Sequence, residues 1–126
     1  MSHQIQESGE MYLESILILS KRLSHIRAVD IAEQMNFSKP SVSRALKILL
    51  NDGYIDIDTL GAVTLTDSGR EIAEKIYARH EVLTEYLIML GVPADIAEKD
   101  ACRIEHYISN ETFVAVRNKL EEEKAK

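Results

Sequence analysis

Residues 27–57, RAVDIAEQMNFSKPSVSRALKILLNDGYIDI, decide the fold. Apolar residues recur there at helical spacing in two short runs, first Val29, Ile31, Ala32 and Met35, then Val42, Ala45, Leu46, Leu49 and Leu50. Asn36-Phe37 interrupts the period between them. Ser38 is a good N-cap, and Pro40 suits a first helical turn, where its missing N–H is no loss. Asp52-Gly53 stops the second run. The alternating segments Tyr54–Ile57 and Val63–Leu65, joined by Leu60-Gly61-Ala62, predict a hairpin. Helix, tight turn, helix and hairpin make a winged helix-turn-helix, with the helix pair over 27–50 and the wing over 54–65. Ile31, Phe37 and Val42 are expected to brace one helix on the other.

Working outward, Tyr12, Ile16, Leu19 and Leu23 predict an amphipathic helix over 9–23. Downstream, Thr66 or Asp67 can cap a long helix over 68–90 that Gly91 stops. Pro93 opens a helix over 94–108, with Ala97, Ala101, Ile104 and Ile108 as its core stripe. Ser109-Asn110 separates it from a last helix over 111–124. The expected fold is mainly α: a winged helix-turn-helix domain over 1–66 and a helical domain over 67–126.

An apolar share of 45% supports a packed core in 126 residues. No apolar run approaches the roughly 18 residues that span a bilayer. The opening MSHQIQESGE lacks the basic-then-apolar order of an export signal, and a single cysteine forms no internal disulfide. The cytoplasm is the expected compartment. The net charge of −6 conceals an uneven distribution: residues 20–50 carry +4 and the remainder −10. A basic segment on an acidic body suits docking to DNA through one face. Arg27, Ser38, Lys39, Pro40, Ser41, Ser43, Arg44 and Lys47 are the candidate DNA-contacting residues. The small hydroxyl residues let the helix approach the major groove, while Arg44 and Lys47 can reach bases or phosphates. A helical bundle with a solvated basic face, or a winged helix that binds protein, would also account for the pattern.

Six residues could hold a cation. Met11 and Glu14 stand i, i+3 on the first helix, His80 lies on the long helix, and Cys102, Glu105 and His106 stand at i, i+3 and i+4 on the next. Thioether, thiol, carboxylate and imidazole together suit a divalent transition metal rather than calcium or magnesium. Each has an ordinary alternative: core filler for Met11, a small buried hydrophobe for Cys102, surface charges for Glu14 and Glu105–His106, packing or phosphate binding for His80.

The motifs EMYL, DIAE, SVSRALK, LTDSGRE, YARHEVLTEYL, LGV and DACRIEHYIS, spread over nearly the whole chain, resemble the diphtheria toxin repressor family of iron- and manganese-dependent regulators, especially its short members. The resemblance implies that Met11, Cys102, Glu105 and His106 match the ligand set of the iron-responsive branch. Glu14 matches a carboxylate of the manganese branch, and His80 a ligand used in both. Met11 and Cys102 replace an aspartate and a glutamate of the manganese branch. Thr84 stands where both branches carry an acid, and Glu98 where the iron branch has a second-site histidine. The primary site therefore resembles the iron type and the second site is altered. The SH3-like lobe of the iron branch is not expected within these 126 residues.

The resemblance also implies a homodimer, for which Ile72, Ile76, Tyr77, Leu83, Leu87, Ile88, Val114, Val116 and Leu120 could supply the interface and the core behind it. A winged helix reading a palindrome needs a two-fold partner in any case. The function expected is a repressor that binds double-stranded operator DNA when loaded with Fe2+ or Mn2+, with Zn2+, Co2+ or Ni2+ able to substitute in vitro. The rivals are a thiol redox regulator using Cys102, which has no second cysteine to pair with, and a metalloenzyme, for which HExxH and nucleophile-elbow motifs are absent.

Overall fold

The computed structural model describes residues 7–126 as six helices and one two-stranded sheet. The opening residues read for an export signal, and the start of the expected N-terminal domain, lie largely outside them. In chain order the elements are α1 (Glu7–Ser20), α2 (Ala28–Met35), α3 (Lys39–Asn51), β1 (Ile55–Ile57), β2 (Val63–Leu65), α4 (Asp67–Met89), α5 (Ala94–Ile104) and α6 (Asn110–Lys124). The chain divides into two compact units, one up to Glu74 and one over Lys75–Lys126, with the division inside α4.

In the first unit, α1, α2 and α3 pack around Leu13, Ile16, Ile31, Val42, Leu46 and Leu49, all buried. Burying each such side chain contributes roughly 1.5–3 kcal/mol. The turn between α2 and α3 depends on Asn36, whose left-handed backbone (φ 57°) lets the Phe37 N–H reach the Ala32 carbonyl at 3.1 Å. Asparagine tolerates that conformation better than most residues. Ser38 then caps α3, its hydroxyl accepting from the Ser41 N–H at 3.3 Å, with Pro40 in the first turn.

The strands pair antiparallel, with Ile55 opposite Leu65 and Ile57 opposite Val63. Tyr54 falls outside the expected strand because its N–H bonds to the Leu49 carbonyl at the end of α3. Its own carbonyl accepts from the Thr66 N–H, and Gly69 packs so tightly there that a Cβ would strike the Tyr54 oxygen. Of the two possible caps for α4, Thr66 does the work: its hydroxyl accepts from the Gly69 N–H at 3.2 Å and donates to the Gly53 carbonyl at 2.7 Å. The wing turn is organised by Asp58, whose Oδ1 accepts from the Leu60 and Ala62 N–H groups at 2.9 Å each.

Several expected core positions are surface. Val29, Phe37 and Leu50 are exposed. Phe37 still braces the unit, but by an edge-to-face contact with Tyr12 at 5.9 Å and not by burial. Leu50 follows Leu49 by about 100° around α3, so only one of the two can face inward. Helix α1 ends three residues before Leu23, in a tightened turn where Lys21 and Arg22 bond three residues back.

In the second unit, Ile76 and Leu83 of α4, Ala97 and Ala101 of α5 and Leu120 of α6 are buried within the single chain, while Ile88, Met89 and Leu90 are exposed. Helix α5 stops at Ile104, four residues short of the expected 108. The Tyr107 N–H tightens onto the Ile104 carbonyl at 2.9 Å, and the Arg79 guanidinium takes up the Glu105 and Ile108 carbonyls, both at 3.1 Å. A long-range donor therefore satisfies groups that a continuing helix would have satisfied locally. Ser109 caps α6 by accepting from the Thr112 N–H at 3.1 Å.

Candidate functional site

The first unit presents the DNA candidates on one exposed surface. Ser38, Lys39, Pro40, Ser43, Arg44 and Lys47 are exposed, and Ser41 is half-buried. Val42, Leu46 and Leu49 bury the opposite side of α3 and fix its rotation. The Ser38 hydroxyl donates to the Ser41 hydroxyl at 2.9 Å, and Arg44 Nη2 lies 3.5 Å from the same Ser41 oxygen. The start of α3 is thus pre-ordered, with helix N–H groups and cations available to an anionic backbone. Arg27 is exposed at the start of α2, where its N–H donates to the Asp30 carboxylate at 2.9 Å. Tyr12 is buried under this unit's surface, and burial raises its phenol above the ordinary value.

The second unit gathers three of the six metal candidates. Glu105 is wholly buried at the end of α5. His80 Nδ1 lies 2.9 Å from its Oε2, and His106 Nε2 3.4 Å from its Oε1. Glu105 Oε1 is buried and accepts no hydrogen bond among the described residues. A buried carboxylate oxygen left in that state is costly in an apolar interior, and imidazoles on either side make it a fitting ligand set for a transition metal. The donor chemistry fits the group that the sequence implies.

The other candidates are placed differently. Cys102 is exposed, one turn before Glu105. Helix α5 ends at Ile104, but Glu105 keeps a right-handed helical backbone (φ −57°, ψ −26°) and its N–H still bonds to the Ala101 carbonyl at 3.0 Å. Met11 is half-buried and Glu14 buried, both on α1 of the first unit. Thr84, one turn beyond His80 on α4, has a buried hydroxyl with no hydrogen-bond partner among the described residues.

Two contributors escaped the sequence reading. Asp58 shapes the wing, and its signal was an Asp two residues ahead of Leu60-Gly61, the usual place for a side chain that closes a turn. Arg79 was visible only as the neighbour of His80, since its partners lie 26 and 29 residues away.

Comparison with known proteins gives two family matches. Residues 4–63 match the iron dependent repressor N-terminal DNA binding domain, and residues 66–125 the iron dependent repressor metal binding and dimerisation domain. The transcriptional regulator MntR of Escherichia coli O6:H1 is 36% identical over 106 residues, 84% of this chain and 68% of that protein. An uncharacterized HTH-type transcriptional regulator of Methanocaldococcus jannaschii is 30% identical over 124 residues, 97% of this chain and 99% of that one. Among solved structures, a manganese-dependent transcriptional repressor in complex with manganese aligns with a TM-score of 0.83 at 30% identity. The manganese regulator SloR aligns at 0.80 and 31%. Each alignment covers 90% of this chain, which spans about half the length of those two structures, 52% and 53%.

Proposed function

The chain belongs to the iron-dependent repressor family, and from that premise we propose that it is a transcriptional repressor that binds operator DNA as a homodimer when loaded with Fe2+ or Mn2+. The observation that carries the metal half of this reading is the buried Glu105 carboxylate between His80 and His106, with one oxygen lacking a hydrogen bond. The DNA half rests on the exposed, capped start of α3 and the wing beside it.

The functional division falls at 1–66 and 67–126, supported by family matches that meet between residues 63 and 66. Met11, Glu14, His80, Cys102, Glu105 and His106 are the proposed ligands. A bound divalent cation supplies positive charge and directional bonds that hold carboxylate, imidazole and sulfur donors together. The chain's own contribution is to carry those donors on its helices, so that occupancy favours the DNA-competent state over the empty one. Differential affinity of that kind is worth about 1–3 kcal/mol, or roughly 5–150-fold in DNA affinity. Two recognition helices related by a dimer two-fold then read the two halves of a palindrome. Exposed Ile88, Met89 and Leu90 support self-association of the second unit. Among the described residues no helix is long and apolar enough to cross a membrane. We place the protein in the cytoplasm and read it as a regulator without catalysis, as its family's regulatory character supports.

The test is a DNA-binding titration on promoter DNA under anaerobic conditions with Fe(II), Mn(II), Zn(II) and chelator alone. The expected result is tight, salt-sensitive binding to a palindromic duplex only when metal is present. Binding that ignores all three metals would overturn the reading.

A further inference from the structure

We propose that Arg79 is a positioning residue for the cation: by gripping the backbone of the 105–108 turn, it sets where the Glu105 carboxylate stands and hence how tightly a divalent metal is held. This rests on the metal-binding reading of Glu105 given above. Arg79 and His80 are consecutive on α4, so their side chains leave the helix about 100° apart. They reach the same residue from two directions. Arg79 Nη1 donates to the Glu105 carbonyl at 3.1 Å, while His80 Nδ1 lies 2.9 Å from the Glu105 carboxylate. Backbone and side chain of one proposed ligand are thus held by neighbouring residues of one helix.

The same Arg79 nitrogen also donates to the Ile108 carbonyl at 3.1 Å, so it spans the turn that carries His106. The Phe113 ring of α6 covers the guanidinium, with its centroid 5.3 Å from Cζ. Only 8% of Arg79 is exposed, and its Nε is buried with no hydrogen-bond partner among the described residues. Burying a guanidinium costs several kcal/mol unless its surroundings compensate. Here the compensation is two carbonyls that the end of α5 leaves open, plus an aromatic face. Without those donors the carbonyls must turn toward water or toward the next helical turn, and either change swings the segment bearing Glu105 and His106. Lysine replaces the contact poorly, because its ammonium is more strongly hydrated, costs more to bury and stacks less well on Phe113.

The experiment uses the full chain and five proteins: wild type, Arg79→Lys, Phe113→Leu, Leu120→Ala and Glu105→Gln. Mn2+ affinity, the ligand-field absorption of bound Co2+ and the melting temperature are measured for each. Arg79→Lys is expected to weaken Mn2+ binding on the order of 10–100-fold and to shift the Co2+ bands. Phe113→Leu should shift both in the same direction by less. Leu120→Ala removes a buried leucine from α6 and should lower the melting temperature with the Co2+ bands unchanged. An Arg79→Lys protein with wild-type Co2+ bands, or with no greater loss of affinity than Leu120→Ala, overturns the proposal. If Arg79→Lys does not fold, Phe113→Leu decides: shifted bands support the proposal and unchanged bands overturn it. A wild type that binds neither metal, or a Glu105→Gln protein that binds both as wild type does, overturns the metal-binding reading and this inference together. Binding lost in Glu105→Gln but intact in Arg79→Lys overturns this inference alone.

Discussion

The start of α3 and the end of α5 both carry proposed functional residues, but they expose them oppositely. Arg44 and Lys47 stand in solvent on a helix whose other side, Val42, Leu46 and Leu49, does the folding. Glu105 is wholly buried, and its carboxylate and carbonyl are both engaged with α4. Folding and function are therefore carried by different side chains in the first region and by the same side chains in the second. A surface cation can change without disturbing the core. A buried carboxylate cannot change without altering the local packing and the ligand set together.

That contrast is most exposed to failure at Glu105. Glu105→Gln keeps the volume but removes the negative charge, and is expected to abolish metal-stimulated DNA binding and to lower Mn2+ affinity at least about 100-fold, the upper end of what loss of a supporting contact costs. Fluorescence anisotropy with labelled promoter DNA, with and without Mn2+, measures it. A wild-type response would show that burial at this residue serves packing alone.

Gly69→Ala probes the folding of the first unit without touching the α3 surface. The new Cβ would meet the Tyr54 carbonyl oxygen, so a loss of about 1–3 kcal/mol is expected despite alanine's better helix propensity. Urea unfolding reads the loss. Equal or greater stability would mean that the wing and the start of α4 yield more easily than their hydrogen bonds indicate.

Substitutions on the exposed face of α3 should leave stability unchanged. Lys47→Ala is expected to weaken binding on all sequences alike and to reduce the salt slope by about 1 if it holds a phosphate. Arg44→Ala should cost about 1–3 kcal/mol and relax sequence preference if it reads a base. Melting curves and salt-dependent binding isotherms on matched and mismatched duplexes separate the two. A fall in melting temperature for either variant would blur the comparison between the regions.

The smallest effect is expected in the wing. The Ala62 N–H, with that of Leu60, holds the Asp58 carboxyl below the usual carboxylate range. A folded-state value below the unfolded one means that its contribution is complete above about pH 4 and is lost as pH falls through the lowered value. Amide shifts of Leu60 and Ala62 followed by NMR should report that loss in the wild type, and Asp58→Asn should remove the pH dependence.

The helix-turn-helix was legible because its determinants are local. A cap at Ser38, a proline in the next turn, a left-handed Asn36 and a helical apolar period all act within a few residues of themselves. Where the reading slipped, at Leu50 and Val29, the period admitted a neighbour that the other helices did not bury. The site was legible as a set of residue types and not as an arrangement. Spacing placed residues 102, 105 and 106 close along one helix, but it carried no sign that Glu105 would be buried against His80 of another helix.

By itself the sequence determined the order of elements, the basic bias of residues 20–50 and the kinds of ligand available to a cation. Only the tertiary structure decided that Glu105 is sealed from water, that His80, 25 residues away, meets its carboxylate, and that Arg79 takes the carbonyls of Glu105 and Ile108 beyond the end of α5. The physical reason is range. Propensity, capping and periodicity operate within a turn or two of helix, whereas burial and the pairing of buried polar groups depend on residues that meet only once the chain has closed on itself.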